Sequence, residues 1–120
     1  MPVPTPQLEH IGRIFAEAWV EASDVSQLRE IYHDDAVLVS PLFPSPIEGR
    51  EAIMQCFEGL FAGIPQGLSF EILAILPGVD MLNVFWSLGE SWGADTLLLG
   101  DDGTIITHYD TGPHEAARDG

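Results

Sequence analysis

Residues 32–53 read YHDDAVLVSPLFPSPIEGREAI, and the order of signals in that stretch decides the fold. Ala36 to Ser40 is a short β-prone run closed by Pro41. Pro41, Pro44 and Pro46 then hold an extended loop, because each lacks an amide hydrogen and restrains the residue before it. Gly49 opens a helix in which Ile53, Cys56, Phe57, Leu60 and Phe61 recur at helical spacing, and Gly63 with Pro65 stops it. A lone strand thus separates two helical regions.

Upstream, Leu8, Ile11, Ile14, Phe15, Ala18, Trp19 and Ala22 share one helical face, with Thr5 as N-cap and Pro6 at the first helical position. Asp24 and Gln27 have the spacing of a capping box, and Val25, Leu28, Ile31 and Tyr32 carry a short second helix to about His33. Downstream, Leu68 to Leu76, Met81 to Leu88, Trp92 to Leu99 and Thr104 to Asp110 read as four strands. Their breaks are Pro77-Gly78, Gly89-Glu90 and Gly100-Asp-Asp-Gly103. The order α-α-β-α-β-β-β-β predicts an α+β domain whose helices cover one face of a curved antiparallel sheet.

The 120 residues suit a single domain over 1–120, with short flexible ends at about 1–5 and 113–120. Four cations, Arg13, Arg29, Arg50 and Arg118, stand against 19 acidic residues, for a net charge of -15 without any lysine. Such a chain is repelled by nucleic acid and by anionic membrane, so neither is expected as a partner. Missing lysine also removes Schiff-base chemistry and the phosphate-cradle lysine. At 46% hydrophobic residues the charge sits on a folded domain rather than a disordered tail. Cys56 stands alone, Met1 to Gln7 (MPVPTPQ) lacks the features of a signal peptide, and no apolar run approaches the roughly 18 residues of a membrane span. A soluble cytoplasmic protein is expected.

With GDDGTIITHYD at residues 100–110, the element order and the 32–53 stretch resemble the nuclear transport factor 2-like superfamily, most closely its SnoaL-like polyketide cyclase and ketosteroid isomerase-like branches. The resemblance runs from about helix one to Asp110. It implies a cone-shaped curved sheet with N-terminal helices on its concave face, a cystatin-like α+β barrel enclosing a cavity. It also implies that Asp110 occupies the acid/base position of SnoaL-like cyclases, and Asp95 that of the protonated aspartate serving the oxyanion in ketosteroid isomerases. The isomerase tyrosine position on helix one is Ala16, and its general-base position is Ser40. Steroid isomerisation by that constellation is therefore disfavoured. Epoxide hydrolysis of the limonene epoxide hydrolase kind is disfavoured too, since no arginine lies between Arg50 and Arg118.

Alternation places Ile106, His108 and Asp110 on one face of the last strand and Ile105, Thr107 and Tyr109 on the other. A hairpin symmetric about Asp101-Asp102 sets Leu99 opposite Thr104 and Asp95 opposite His108, clustering Asp95, His108 and Asp110; a bulge at Gly103 would break that pairing. Two carboxyls and an imidazole in an apolar cone cannot all keep their solution pKa values, which allows an acid and a base to coexist near neutral pH. The candidate substrate wall is Phe15, Trp19, Ser40, Phe57, Trp86, Leu97 and Ile106, with the face of Trp86 left open. Gly89-Glu90-Ser91-Trp92-Gly93 matches a nucleophile elbow, yet a strand follows at once, so it reads as a hairpin turn. His33, Asp34 and Asp35 splay apart and lack metal-ligand spacing, so neither metal nor cofactor is expected.

Two functions compete. The first is a cofactor-independent acid/base enzyme that isomerises, cyclises or dehydrates a neutral hydrophobic polyketide- or terpenoid-like molecule. The second is a non-catalytic module of the same fold that holds a hydrophobic ligand or mediates assembly. Trp92, Leu98, Ile105 and Tyr109 are expected on the outer face of the sheet, too apolar to stay wet, which predicts a homodimer through that face.

Overall fold

The computed structural model describes residues 2–115. Helix α1 (Thr5–Glu21) buries Leu8, Ile11, Phe15 and Ala18, the stripe its periodicity predicts. Its N-cap is Pro4 rather than Thr5; the amides of Gln7 and Leu8 close onto the Pro4 carbonyl without help from a side chain. Helix α2 (Ser26–Ile31) is shorter than expected. Asp24 accepts from the Ser26 amide at 2.9 Å and its hydroxyl at 2.7 Å, an Asx turn in place of the box with Gln27. Strand β1 (Tyr32–Val39) then begins at once, four residues before the expected Ala36. Buried Tyr32, Ala36 and Leu38 supply its inner face.

The proline loop closes through a short strand β2 (Ile47–Glu48), antiparallel to β1. Gly49 follows with φ +96°, a conformation suited to glycine, and donates its amide to Ala36 O at 2.8 Å while its own carbonyl starts α3 (Arg50–Ala62). Gly63 ends α3 as predicted.

The remaining strands are β3 (Phe70–Gly78), β4 (Met81–Leu88), β5 (Ser91–Leu99), β6 (Ile105–Asp110) and β7 (His114–Glu115). The β3–β4 turn is Val79-Asp80, not Pro77-Gly78. Asp80 takes the positive φ of +54°, and its carboxylate accepts the Val3 amide at 2.6 Å. Pro77 remains in β3 because that strand is at the sheet edge, where no ladder donor is required. Order across the curved, unclosed sheet is β2-β1-β6-β5-β4-β3, with β7 pairing β5 beyond the end of β6. All pairings are antiparallel except β1 with β6, which is parallel, because the chain returns beside β1 only after α3 and the three-strand meander. Of the ends expected to be loose, Val3 is tied to Asp80, His114–Glu115 form β7, and 116–120 lie outside the described residues.

Helix α1 packs on β3 and β4, and α3 on β1, so the core lies between the helices and the concave face. One irregularity corrects two expectations. Leu98 faces Thr107 while Leu99 faces Ile105, which leaves Ile106 as the extra residue of a β-bulge. The bulge reverses alternation at that point. Ile105 turns inward and is fully buried, whereas Ile106 is 40% exposed and lies over Gly100. Ile106 is therefore no cavity residue, and Ile105 is no part of the outer face. Among the described residues, no helix is long and apolar enough to cross a membrane.

Candidate active site

Between the concave face and helices α1 and α3 lies a cavity of about 260 Å³. Phe15 and Trp19 reach it from α1, Phe57 from α3, and Ser40 from the end of β1. Trp19 is the hub of the aromatic wall, meeting Phe61, Phe57 and Phe70 nearly edge-on at 4.7, 5.0 and 5.4 Å. Such aromatic pairs are stabilising beyond the area they bury. Trp86 also faces inward, 8% exposed and edge-on to Phe70. Its cross-strand partner is Gly93, where a Cβ would overlap the indole, and Gly112 approaches the same ring. Leu97 is wholly buried in the core and does not line the cavity. Leu42, Leu60, Phe70, Ile72 and Leu88 also line the cavity, beyond the expected wall.

The three predicted polar residues do meet in this cavity, by a different register. Asp95 pairs with Asp110, and Leu97 with His108, two residues away from the expected alignment. A two-residue displacement preserves strand parity, so Asp95, His108 and Asp110 still share the concave face. His108 Nε2 stands 3.3 Å from Asp95 Oδ1, short of a well-formed hydrogen bond. Asp110 Oδ2 accepts the Ser40 hydroxyl at 2.8 Å, and Ser40 Oγ accepts the Leu42 amide at 3.2 Å. Asp110 Oδ1 accepts no hydrogen bond from the described residues.

Burial first, then hydrogen bonding to Asp95 and the negative charge there, push Asp110 up from 3.8 to about 8; the Ser40 hydroxyl and the Thr111 amide oppose the rise. Near neutral pH the carboxyl therefore favours its protonated form. An acid held neutral, with one oxygen positioned by Ser40, can deliver a proton to a bound molecule.

A residue that the sequence places only on the second helix completes the cluster. Tyr32, 1% exposed, places its hydroxyl 2.8 Å from His108 Nδ1. Burial and the charge of Asp95 hold its phenol well above the usual range. Nothing local marks it, because it contacts β6 only through the long-range β1–β6 pairing. Ala16 lies outside the cavity, on a shallow groove with Ile75 and Pro77. Asp34 is engaged by Arg50 at 2.8 Å and His33 Nδ1 accepts the Asp35 amide, so that trio serves the surface; among the described residues no cluster has a metal-holding arrangement. Gly89-Glu90 forms a two-residue hairpin turn with Gly89 at φ +60°, and Ser91 begins β5 directly.

The profile of the family described as a SnoaL-like domain matches residues 12–112. A SnoaL-like protein of unknown function from Burkholderia thailandensis superposes with a TM-score of 0.79 at 22% identity, covering 98% of this chain and 100% of that one. A protein of Agrobacterium tumefaciens, provisionally an isomerase of the SnoaL-like family, gives a TM-score of 0.71 at 20% identity, over 88% of this chain and 97% of that one. A protein of unknown function with a cystatin-like fold from Methylobium petroleophilum gives 0.76 at 14% identity, over 100% and 82%. At these identities the likeness concerns the fold. No curated protein sequence matches the chain.

Proposed function

The chain is a member of the SnoaL-like domain family, and we propose that it is a cofactor-independent enzyme that isomerises, cyclises or dehydrates a neutral hydrophobic polyketide- or terpenoid-like molecule by proton transfer. Asp110 is the acid/base. The observation that carries this reading is its carboxyl, held protonated near neutral pH in the wall of an otherwise apolar and aromatic cavity. The substrate oxygen takes the proton from Asp110, and Ser40 steadies the carboxylate left behind. That carboxylate faces Asp95, so it readily recovers a proton from the substrate carbon, which returns the site to its starting state.

With water occupying roughly 30 Å³, 260 Å³ holds about nine water volumes, room for a compact one- or two-ring molecule. Among the described residues, no arginine lines the cavity to meet an anionic group. The test is deuterium incorporation from D2O into neutral cyclic enones and terpenoid ketones, followed by NMR, with wild type beside Asp110→Asn. Exchange that disappears in a folded Asp110→Asn protein supports the reading. Probes that bind without exchange in wild type reject it in favour of the ligand-holding module, which Ser40 and Ala16 at the isomerase's polar positions favour. The same reading includes a cytoplasmic homodimer through the outer sheet face, supported by exposed Phe85, Trp92 and Tyr109 and half-buried Leu98.

A further inference from the structure

His108 has two ring nitrogens with different neighbours. Nδ1 meets the Tyr32 hydroxyl at 2.8 Å, and Nε2 faces Asp95 Oδ1 at 3.3 Å. Phe15 and Phe57 flank the ring at 5.6 and 5.9 Å, so Tyr32 and Asp95 are the groups able to dictate where its hydrogen sits. The arginines of the described residues pair at the surface: Arg13 with His10, Arg29 with Glu51, and Arg50 with Asp34.

The phenol settles the direction of the chain. Buried and keeping its proton, Tyr32 has one O–H to place, and among the described residues its hydroxyl has the single partner His108 Nδ1. Turning that hydrogen elsewhere would leave a buried donor unpaired, which folded chains avoid. A neutral imidazole carries one donor and one acceptor nitrogen, so an accepting Nδ1 puts the hydrogen on Nε2. Nε2–H then has Asp95 Oδ1, 3.3 Å away, as the acceptor beside it, off the line of a well-formed hydrogen bond. Apo contacts of this kind are often long and tighten when substrate binds.

We propose that Tyr32 is a positioning residue: it holds His108 as the Nε2–H tautomer, which keeps the negative charge on Asp95 and the proton on Asp110. Its catalytic consequence rests on the acid/base reading of Asp110, whereas the proton arrangement itself does not. Without the phenol, Nδ1 is free to hold the hydrogen, and a bare Nε2 becomes an acceptor facing Asp95, which draws the Asp110 proton onto Asp95, where it can be donated to the ring. The charge that holds Asp110 protonated then weakens.

The experiment is a two-bond proton–nitrogen correlation spectrum of histidine-labelled wild-type protein at pH 7, assigned with His108→Gln and repeated on Tyr32→Phe. His108 should show an unprotonated, accepting Nδ1 and a protonated Nε2. In Tyr32→Phe the other tautomer should appear, and the Asp110 carboxyl midpoint, followed by carbon NMR, should fall by about one pH unit or more. An Nδ1–H tautomer or an imidazolium in wild type overturns the proposal, whether or not Tyr32→Phe folds. So does an unchanged tautomer and midpoint in a folded Tyr32→Phe protein. Since neither spectrum needs turnover, an Nε2–H tautomer in a protein that exchanges no probe sinks the enzyme reading alone.

Discussion

Replacing Asp110 by Asn should change how stability depends on pH. Asp110 ionises near 8 in the folded chain and near 3.8 when solvated, so the folded state retains a proton that the unfolded state has released. Its contribution to stability is full below about pH 4 and is lost as pH rises through about 8. At about 1.4 kcal/mol per pH unit the gap sets a ceiling of about 6 kcal/mol. The carboxyl opens onto a cavity that admits solvent and shares its titration with Asp95, so screening brings the expected loss to about 2 kcal/mol. Asn keeps the neutral shape and can still accept from Ser40, yet cannot ionise. Urea unfolding should therefore show nearly equal stabilities at pH 5 and an advantage of about 2 kcal/mol for Asp110→Asn at pH 9, roughly 8 °C in Tm for a domain of this length. Parallel stability curves from pH 5 to 9 would refute the reasoning.

Gly93→Ala should cost about 2 kcal/mol in urea unfolding, because the new methyl overlaps Trp86, while Gly59→Ala, with open space on an exposed turn of α3, should gain about 0.8 kcal/mol. Equal effects would mean that the indole does not lie on Gly93. Leu98→Glu should dissociate the proposed homodimer in sedimentation, and dimerisation should strengthen with salt as the -15 charges are screened; a monomer at micromolar concentration in every buffer argues against that face. Neutral one- or two-ring ligands should raise Tm and quench Trp19 and Trp86, a change best read in Trp92→Phe, which removes the exposed indole. Ligands that shift neither signal would place binding elsewhere.

The helices were legible because their apolar residues recur at short range: Leu8, Ile11, Phe15 and Ala18 needed only their own spacing. Tyr32 shows where that signal misleads. It continues the period of Leu28 and Ile31 and so reads as helix, but its pairing with Ile105, far along the chain, draws it into β1. The Asp95, His108 and Asp110 cluster came through a wrong register because an error of two residues keeps strand parity, whereas the single extra residue at Ile106 exchanged the faces of Ile105 and Ile106. Bulges and parallel pairings depend on partners distant in sequence, and so the Tyr32–His108 contact, the most informative hydrogen bond of the site, had no local trace.

The most direct measurement is a carboxyl titration of aspartate-labelled wild-type protein by carbon NMR from pH 3 to 10, with Asp110→Asn identifying the resonance. The account predicts that the Asp110 carboxyl titrates with a midpoint near 8. A midpoint at its ordinary value near 3.8 would contradict it, since the cavity would then hold no proton to give.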